Sequence, residues 1–223
     1  MSTLADLEQA SSQTFPPLFH QLVAGNHFSW GEQGPRWYRE VFPQLQAQPP
    51  VLLYANEYEP IEPGELRAAW EDLIAEDHYN PLREDLKLLP FARTGAGDNY
   101  CFWTNAPGFA EPPVLLVWHD DDRADLVAAN LQDFLFRRMA EAVVELEEDD
   151  SLLSEGDIGA NLQAWLSTHR GWLRGDQVAA LEALFARVDD IAGGGISEQD
   201  VQALLKPLIG FERMDSRMPY VRD

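Results

Sequence analysis

Cysteine occurs once in this chain of 223 residues, at Cys101. No intramolecular disulfide can form, which fits a reducing compartment. Bases are scarce: 16 Lys and Arg stand against 38 Asp and Glu. A field of that sign repels phosphate backbones and argues against direct nucleic-acid binding. Long apolar runs are missing too, and Val114–Trp118 falls far short of the roughly 20 residues that span a bilayer. The N-terminus carries Asp6 and Glu8 where a signal peptide has a basic region and a long apolar core. The expectation is a cytoplasmic protein with no membrane association. No Gly-x-Ser-x-Gly elbow and no His-Glu-x-x-His motif occurs. That near-empty catalytic inventory argues against an enzyme.

What is present is material for a core. Hydrophobic residues make up 45% of the chain, and seven Trp, eleven Phe and six Tyr supply bulk. The length suits one large domain, or one domain with a small appendage. The acidic excess is spread along the whole chain, with 23 acids against 9 bases up to Glu145 and 15 against 7 after it. It has two readings: solubility, or attraction of a basic protein and acceleration of its association.

Leu4 and Leu7 begin a short helical pattern, and Pro16 to Val23 predict a helix with proline in its first turn and Gly25 at its end. Trp37, Val41 and Leu45 recur at helical spacing, and Leu66, Trp70, Leu73 and Ile74 form one apolar helix face. Val51–Tyr54 is a short buried-strand candidate. Lys87–Ala92 and Tyr100–Thr104 are strand-like, joined by a Gly/Asp/Asn-rich loop suited to a hairpin. Val114–His119 is a more apolar strand, consistent with a central position. Asn130, with Asp133 three residues on, caps a helix through Leu131, Phe134, Leu135, Met139 and Val143. Glu141–Asp157 holds eight acids and no base, which reads as a solvated boundary. Beyond it Leu162, Trp165 and Leu166 form one helical stripe and Val178 to Val188 another, and Ser197 with Asp200 forms a capping box. The pattern predicts an α+β domain over 1–145, followed by an all-helical C-terminal extension of about three helices over 146–223.

Four places invite chemistry. Gly95 and Gly97 lack the further residues of a phosphate cradle. His119-Asp120-Asp121-Asp122 has metal-ligand residue types, yet consecutive residues rarely converge on one ion, so a solvated acidic loop is the better reading. Asp189–Asp200 has the length of a calcium loop but holds Ile191 and Gly193 at ligand positions and ends on Asp200, so it reads as an interhelical turn. Cys101, between Tyr100 and Phe102, has the surroundings of an inert buried thiol. No catalytic or metal-ligating set is assigned.

Leu88-Leu-Pro90-Phe-Ala-Arg-Thr-Gly95-Ala-Gly97-Asp98-Asn-Tyr100-Cys-Phe-Trp103, then Pro113-Val-Leu-Leu-Val-Trp-His-Asp120, then Ala129-Asn130-Leu-Gln-Asp-Phe134-Leu135 resembles the SUKH superfamily of bacterial immunity proteins and fungal cell-wall regulators. The resemblance implies a mixed, mainly antiparallel sheet with helices packed against it and no cofactor. It also implies that Pro90, Gly95, Gly97, Asp98, Tyr100, Asn130 and Phe134 act structurally, the Gly-x-Gly-Asp run shaping a turn and Asn130 starting a helix. For function it implies an immunity protein that neutralises a basic, possibly nuclease, toxin domain encoded nearby. Asp120, Asp121, Asp122, Glu57 and Glu59 are the acids expected to meet it. The alternatives are a cytoplasmic regulator or scaffold of the same fold and, more remotely, a metal-dependent hydrolase built on His119.

Overall fold

The structure, a computed structural model, describes residues 3–31, 34–144, 146, 151–210 and 216–222. Six strands form one sheet in chain order: β1 (Glu59–Pro60), β2 (Leu88–Arg93), β3 (Asn99–Trp103), β4 (Val114–Val117), β5 (Arg123–Ala128) and β6 (Ser216–Pro219). Every pairing is antiparallel. Ten α-helices occur among the described residues. These are α1 (Leu4–Ser11), α2 (Pro17–Ala24), α3 (Trp37–Glu40), α4 (Phe42–Ala47), α5 (Leu66–Leu73), α6 (Leu131–Glu141), α7 (Ile158–His169), α8 (Gly175–Phe185), α9 (Val188–Ala192) and α10 (Glu198–Ile209). The α+β class and the helical C-terminal region follow the sequence pattern. β6 is a strand inside the stretch read as wholly helical. None of these helices is long and apolar enough to cross a membrane.

The chain divides into two compact units, each assembled from separated segments. The first comprises Met1–Ser29, Glu57–Phe134 and Glu212–Asp223. Its sheet is covered on both faces. On one face Phe91 stacks on Phe102 at 4.3 Å, and Phe15, Phe19 and Phe28 pack edge-on around them. Tyr58, Tyr100 and Phe134 extend this aromatic layer. On the other face Leu88, Cys101, Leu115, Val117, Ala124 and Leu126 pack with Leu73 of α5 and with Tyr220. The period of two in β5, with Ala124, Leu126 and Ala128 buried, gives it one core-facing row. Each ring fully withdrawn from water stabilises the unit by about 1.5–3 kcal/mol.

Pro90 sits at a register shift between β2 and β3, next to the stretch of β2 that β1 does not reach. There its missing N–H interrupts no ladder bond. At the start of α6, Asn130 Oδ1 accepts the Asp133 N–H at 2.8 Å, and its Nδ2 donates to Asp133 Oδ2 at 3.1 Å, the expected cap.

The second unit comprises Trp30–Asn56 and Leu135–Phe211. Here the structure corrects one expectation: Val51–Tyr54 is a fully buried turn, not a strand. Leu52 has φ +52°, a left-handed backbone that no ladder accommodates. Side chains satisfy the turn's polar groups instead. His169 Nε2 accepts the Leu52 N–H at 3.2 Å, Trp30 Nε1–H donates to the Val51 carbonyl at 3.1 Å, and Thr168 Oγ1–H donates to the Pro49 carbonyl at 3.0 Å. Buried Asn161 in α7 adds donors to the Leu153 and Glu155 carbonyls and accepts the Tyr54 hydroxyl. Asp189 and Asp190 lie inside helix α9, so the calcium-loop spacing is spent on a helical turn. Ser197 and Asp200 form the expected capping box on α10. The acid-rich boundary read at Glu141–Asp157 falls largely on residues 145 and 147–150, outside the described residues.

Candidate functional site

Register gathers the sequence's candidate acids at one end of the first unit's sheet. β2 ends at Arg93 and β3 begins at Asn99; β4 ends at Val117 and β5 begins at Arg123. Both connecting turns therefore lie at the same end. The pairing of Glu59 with Arg93 brings Glu57 there as well, and β6 delivers Tyr220 to the same place.

The first turn, Thr94–Asp98, closes with the Thr94 N–H donating to the Asp98 carbonyl at 2.9 Å and the Gly97 N–H donating to the Thr94 carbonyl at 3.1 Å. Gly97 has φ +101°, which a side chain would strain. Gly95 contributes its backbone N–H, which donates to Glu57 Oε2 at 3.1 Å. Tyr100 follows in β3, buried among the aromatics with Phe134.

Asp98 is the hub. It is only 3% exposed, yet its carboxylate is well supplied with donors. Oδ2 accepts the Thr94 hydroxyl at 3.0 Å. Oδ1 accepts the His119 N–H at 3.0 Å and lies 2.7 Å from His119 Nδ1. One side chain thus ties the β2–β3 turn to the β4–β5 turn. The hydrogen bond to Asp98 raises the His119 pKa above its ordinary 6.5; partial desolvation opposes this, and the charges of Asp98 and Asp120 add to it. The imidazole is exposed, with Nε2 left to face solvent once Nδ1–H is given to Asp98.

The second turn is fixed from the side. Asn80 Nδ2 donates to the His119 carbonyl at 3.0 Å and to the Asp121 carbonyl at 3.2 Å. The Tyr220 N–H donates to the Asp122 carbonyl at 3.0 Å and the Tyr220 hydroxyl donates to the Trp118 carbonyl at 2.6 Å. This backbone is held rigidly while its side chains point outward. Asp120 and Asp122 are exposed and Asp121 is half-buried.

Not all five candidate acids are equally available. Glu57 is engaged with Gly95, Glu59 lies across from Arg93, Asp122 is 3.1 Å from Arg123, and Asp121 is 4.0 Å from Arg217. Asp120 has no ion pair with an Arg or Lys among the described residues, and its charge adds to the field at His119. Sequence reasoning missed Asn80, Tyr79 and Tyr220, which reach this end from distant segments. An Asn-Pro pair favours a turn, but nothing in Asn80-Pro81 specifies where such a turn docks.

Asp98, His119 and Asp120 place ligand-type atoms within 4.8 Å of one another. With three hydrogen bonds already on the Asp98 carboxylate, the arrangement acts first as a structural clasp. The Asp–His pair also has the form that orients an imidazole for proton transfer, but among the described residues no hydroxyl or thiol is bonded to Nε2. Cys101 is fully buried, and burial pushes its thiol pKa up, away from the nucleophilic thiolate.

No curated protein and no solved structure matches the chain significantly. A family model does, over residues 2–137, which takes in the whole Leu88–Leu135 signature and most of the sheet. On that match the chain belongs to the SMI1/KNR4 family (SUKH-1).

Proposed function

We propose that this chain is a non-catalytic, acidic binding protein of the cytoplasm: an immunity protein that neutralises a basic, nuclease-type toxin domain by direct contact. Membership of the SUKH-1 family supports a role of this kind in general terms. The observation that carries the specific reading is the gathering of Glu57, Asp120, Asp121 and Asp122 at one end of the sheet, on turns pinned from below by Asp98, Asn80 and Tyr220. Acids carried on a pinned backbone need little reordering on contact, so their field steers a cationic partner at low entropic cost. The net charge of −22 acts in the same direction at long range. A nuclease surface, made basic to hold phosphate, is the natural complement.

The test is co-expression with the product of the adjacent gene. Rescue from its toxicity, together with a complex whose association rate falls steeply between low and physiological salt, supports the proposal. The absence of both rescue and binding refutes it. A pull-down that returns several unrelated cellular proteins instead favours the regulatory branch of the family.

A further inference from the structure

Three large hydrophobic side chains are exposed among the described residues, and two of them, Ile74 and Tyr79, lie in one short segment after α5. Tyr79 is 87% exposed, an unusual place for an aromatic ring on a protein surface. The segment is also acidic. From Ala68 to Leu82 there are four acids, Glu71, Asp72, Glu76 and Asp77, and no Lys or Arg. Glu71 is held by Arg67, while neither Glu76 nor Asp77 pairs with a described cation. The next residue after Tyr79 is Asn80, whose side-chain amide bridges the His119 and Asp121 carbonyls. The backbone that carries Tyr79 is thereby anchored next to the Asp120–Asp122 turn, within the same compact unit.

We propose that Tyr79, with Ile74, Glu76, Asp77 and the Asp120–Asp122 turn around it, is the docking surface for an arginine side chain of a basic protein partner. The proposal deepens the reading above and rests on it. An aromatic face flanked by carboxylates suits guanidinium better than ammonium. The planar cation stacks on the ring while its edge N–H groups reach the acids, whereas a lysine offers a point charge without the stacking. Tyrosine also adds large apolar contact at low conformational cost, which is why it recurs at the centres of protein interfaces. The Asn80 clasp holds the backbone next to Tyr79 against the turn before any partner arrives, which limits the reordering that docking requires.

The test uses the full chain, titrated with labelled nona-arginine and nona-lysine peptides of equal charge. Affinities come from anisotropy, and the bound surface from amide shifts of the ¹⁵N-labelled protein. Nona-arginine should bind more tightly than nona-lysine, with shifts concentrated at residues 74–80 and 119–122. Tyr79→Ala should weaken nona-arginine by about two- to fivefold and erase its advantage over nona-lysine, and Tyr79→Phe should retain that advantage. Asp120→Asn with Asp121→Asn should weaken both peptides alike. Equal binding of the two peptides, an unchanged preference in Tyr79→Ala, or shifts elsewhere would overturn this docking surface and leave the basic-partner reading standing. No binding of either peptide at low salt would overturn both. A dimer of the chain alone that Tyr79→Ala dissolves would assign the surface to a second copy, and the proposal would fall.

Discussion

Replacing Asp98 with alanine deletes the one carboxylate that joins the two turns of the acidic end. It leaves behind the Thr94 hydroxyl, itself in a buried residue, and the His119 backbone N–H, both without their acceptor. Hydrogen bonds to a charged group contribute roughly 1.5–3 kcal/mol each, and unsatisfied buried donors add a desolvation cost. The bonds share one group and are not additive, so the expected loss is about 3 kcal/mol in all. For a chain of this size that lowers the melting temperature by about 6–12 °C. Asp98→Asn keeps an acceptor oxygen and loses the charge, and should cost about 1–2 kcal/mol. Urea titration followed by tryptophan fluorescence reads both losses. The pH dependence carries a second signature. Because the folded His119 titrates above 6.5, its contribution to stability is complete below that value and is lost as pH rises through the raised pKa. Asp98→Asn should flatten that decline. A loss below about 1 kcal/mol in Asp98→Ala, or an unaltered pH profile in Asp98→Asn, refutes the hub assignment.

Three further outcomes follow from the geometry. Gly97→Ala forces a side chain into a left-handed turn and should destabilise by about 1–2 kcal/mol, whereas Gly95→Ala, with no positive φ and only ordinary contact to Glu57, should cost clearly less in parallel melts. Cys101 should resist iodoacetamide in the native protein at neutral pH and react once urea unfolds it, so rapid native labelling read by mass spectrometry would contradict its burial. Ser197→Ala removes the N-cap of α10 and should cost about 1 kcal/mol, with amide exchange accelerating most in the first turn of that helix.

Residue order alone carried much of this protein. The period-3.6 stripes marked helices α5 to α8, and the Asn130 and Ser197 caps were legible because a cap is a local bond between residues three apart. The Leu-Pro-Phe, Gly-x-Gly-Asp and Tyr-Cys-Phe run gave the β2–β3 hairpin and the family. Short elements were less legible. β1 is two residues long and carries almost no pattern, and β6 follows a long helical stretch with nothing local to announce its pairing with β5. A four-residue apolar run such as Val51–Tyr54 has the same composition as a strand or a buried turn, and His169, far along the chain, decides between them.

The candidate site divides the same way. The sequence by itself determined that the protein is acidic and that Asp120–Asp122 sit on a turn, because charge counts and turn residues are local properties. Only the tertiary structure decided that Asp98 would hold His119, that Asn80 would pin the acid turn, and that Tyr79 would stand exposed beside it. The Asp98 and Asn80 contacts join residues 21 to 41 positions apart. The first exists because an antiparallel register brings alternate turns to the same end of the sheet, the second because a loop outside the strands docks there, and no local propensity encodes either.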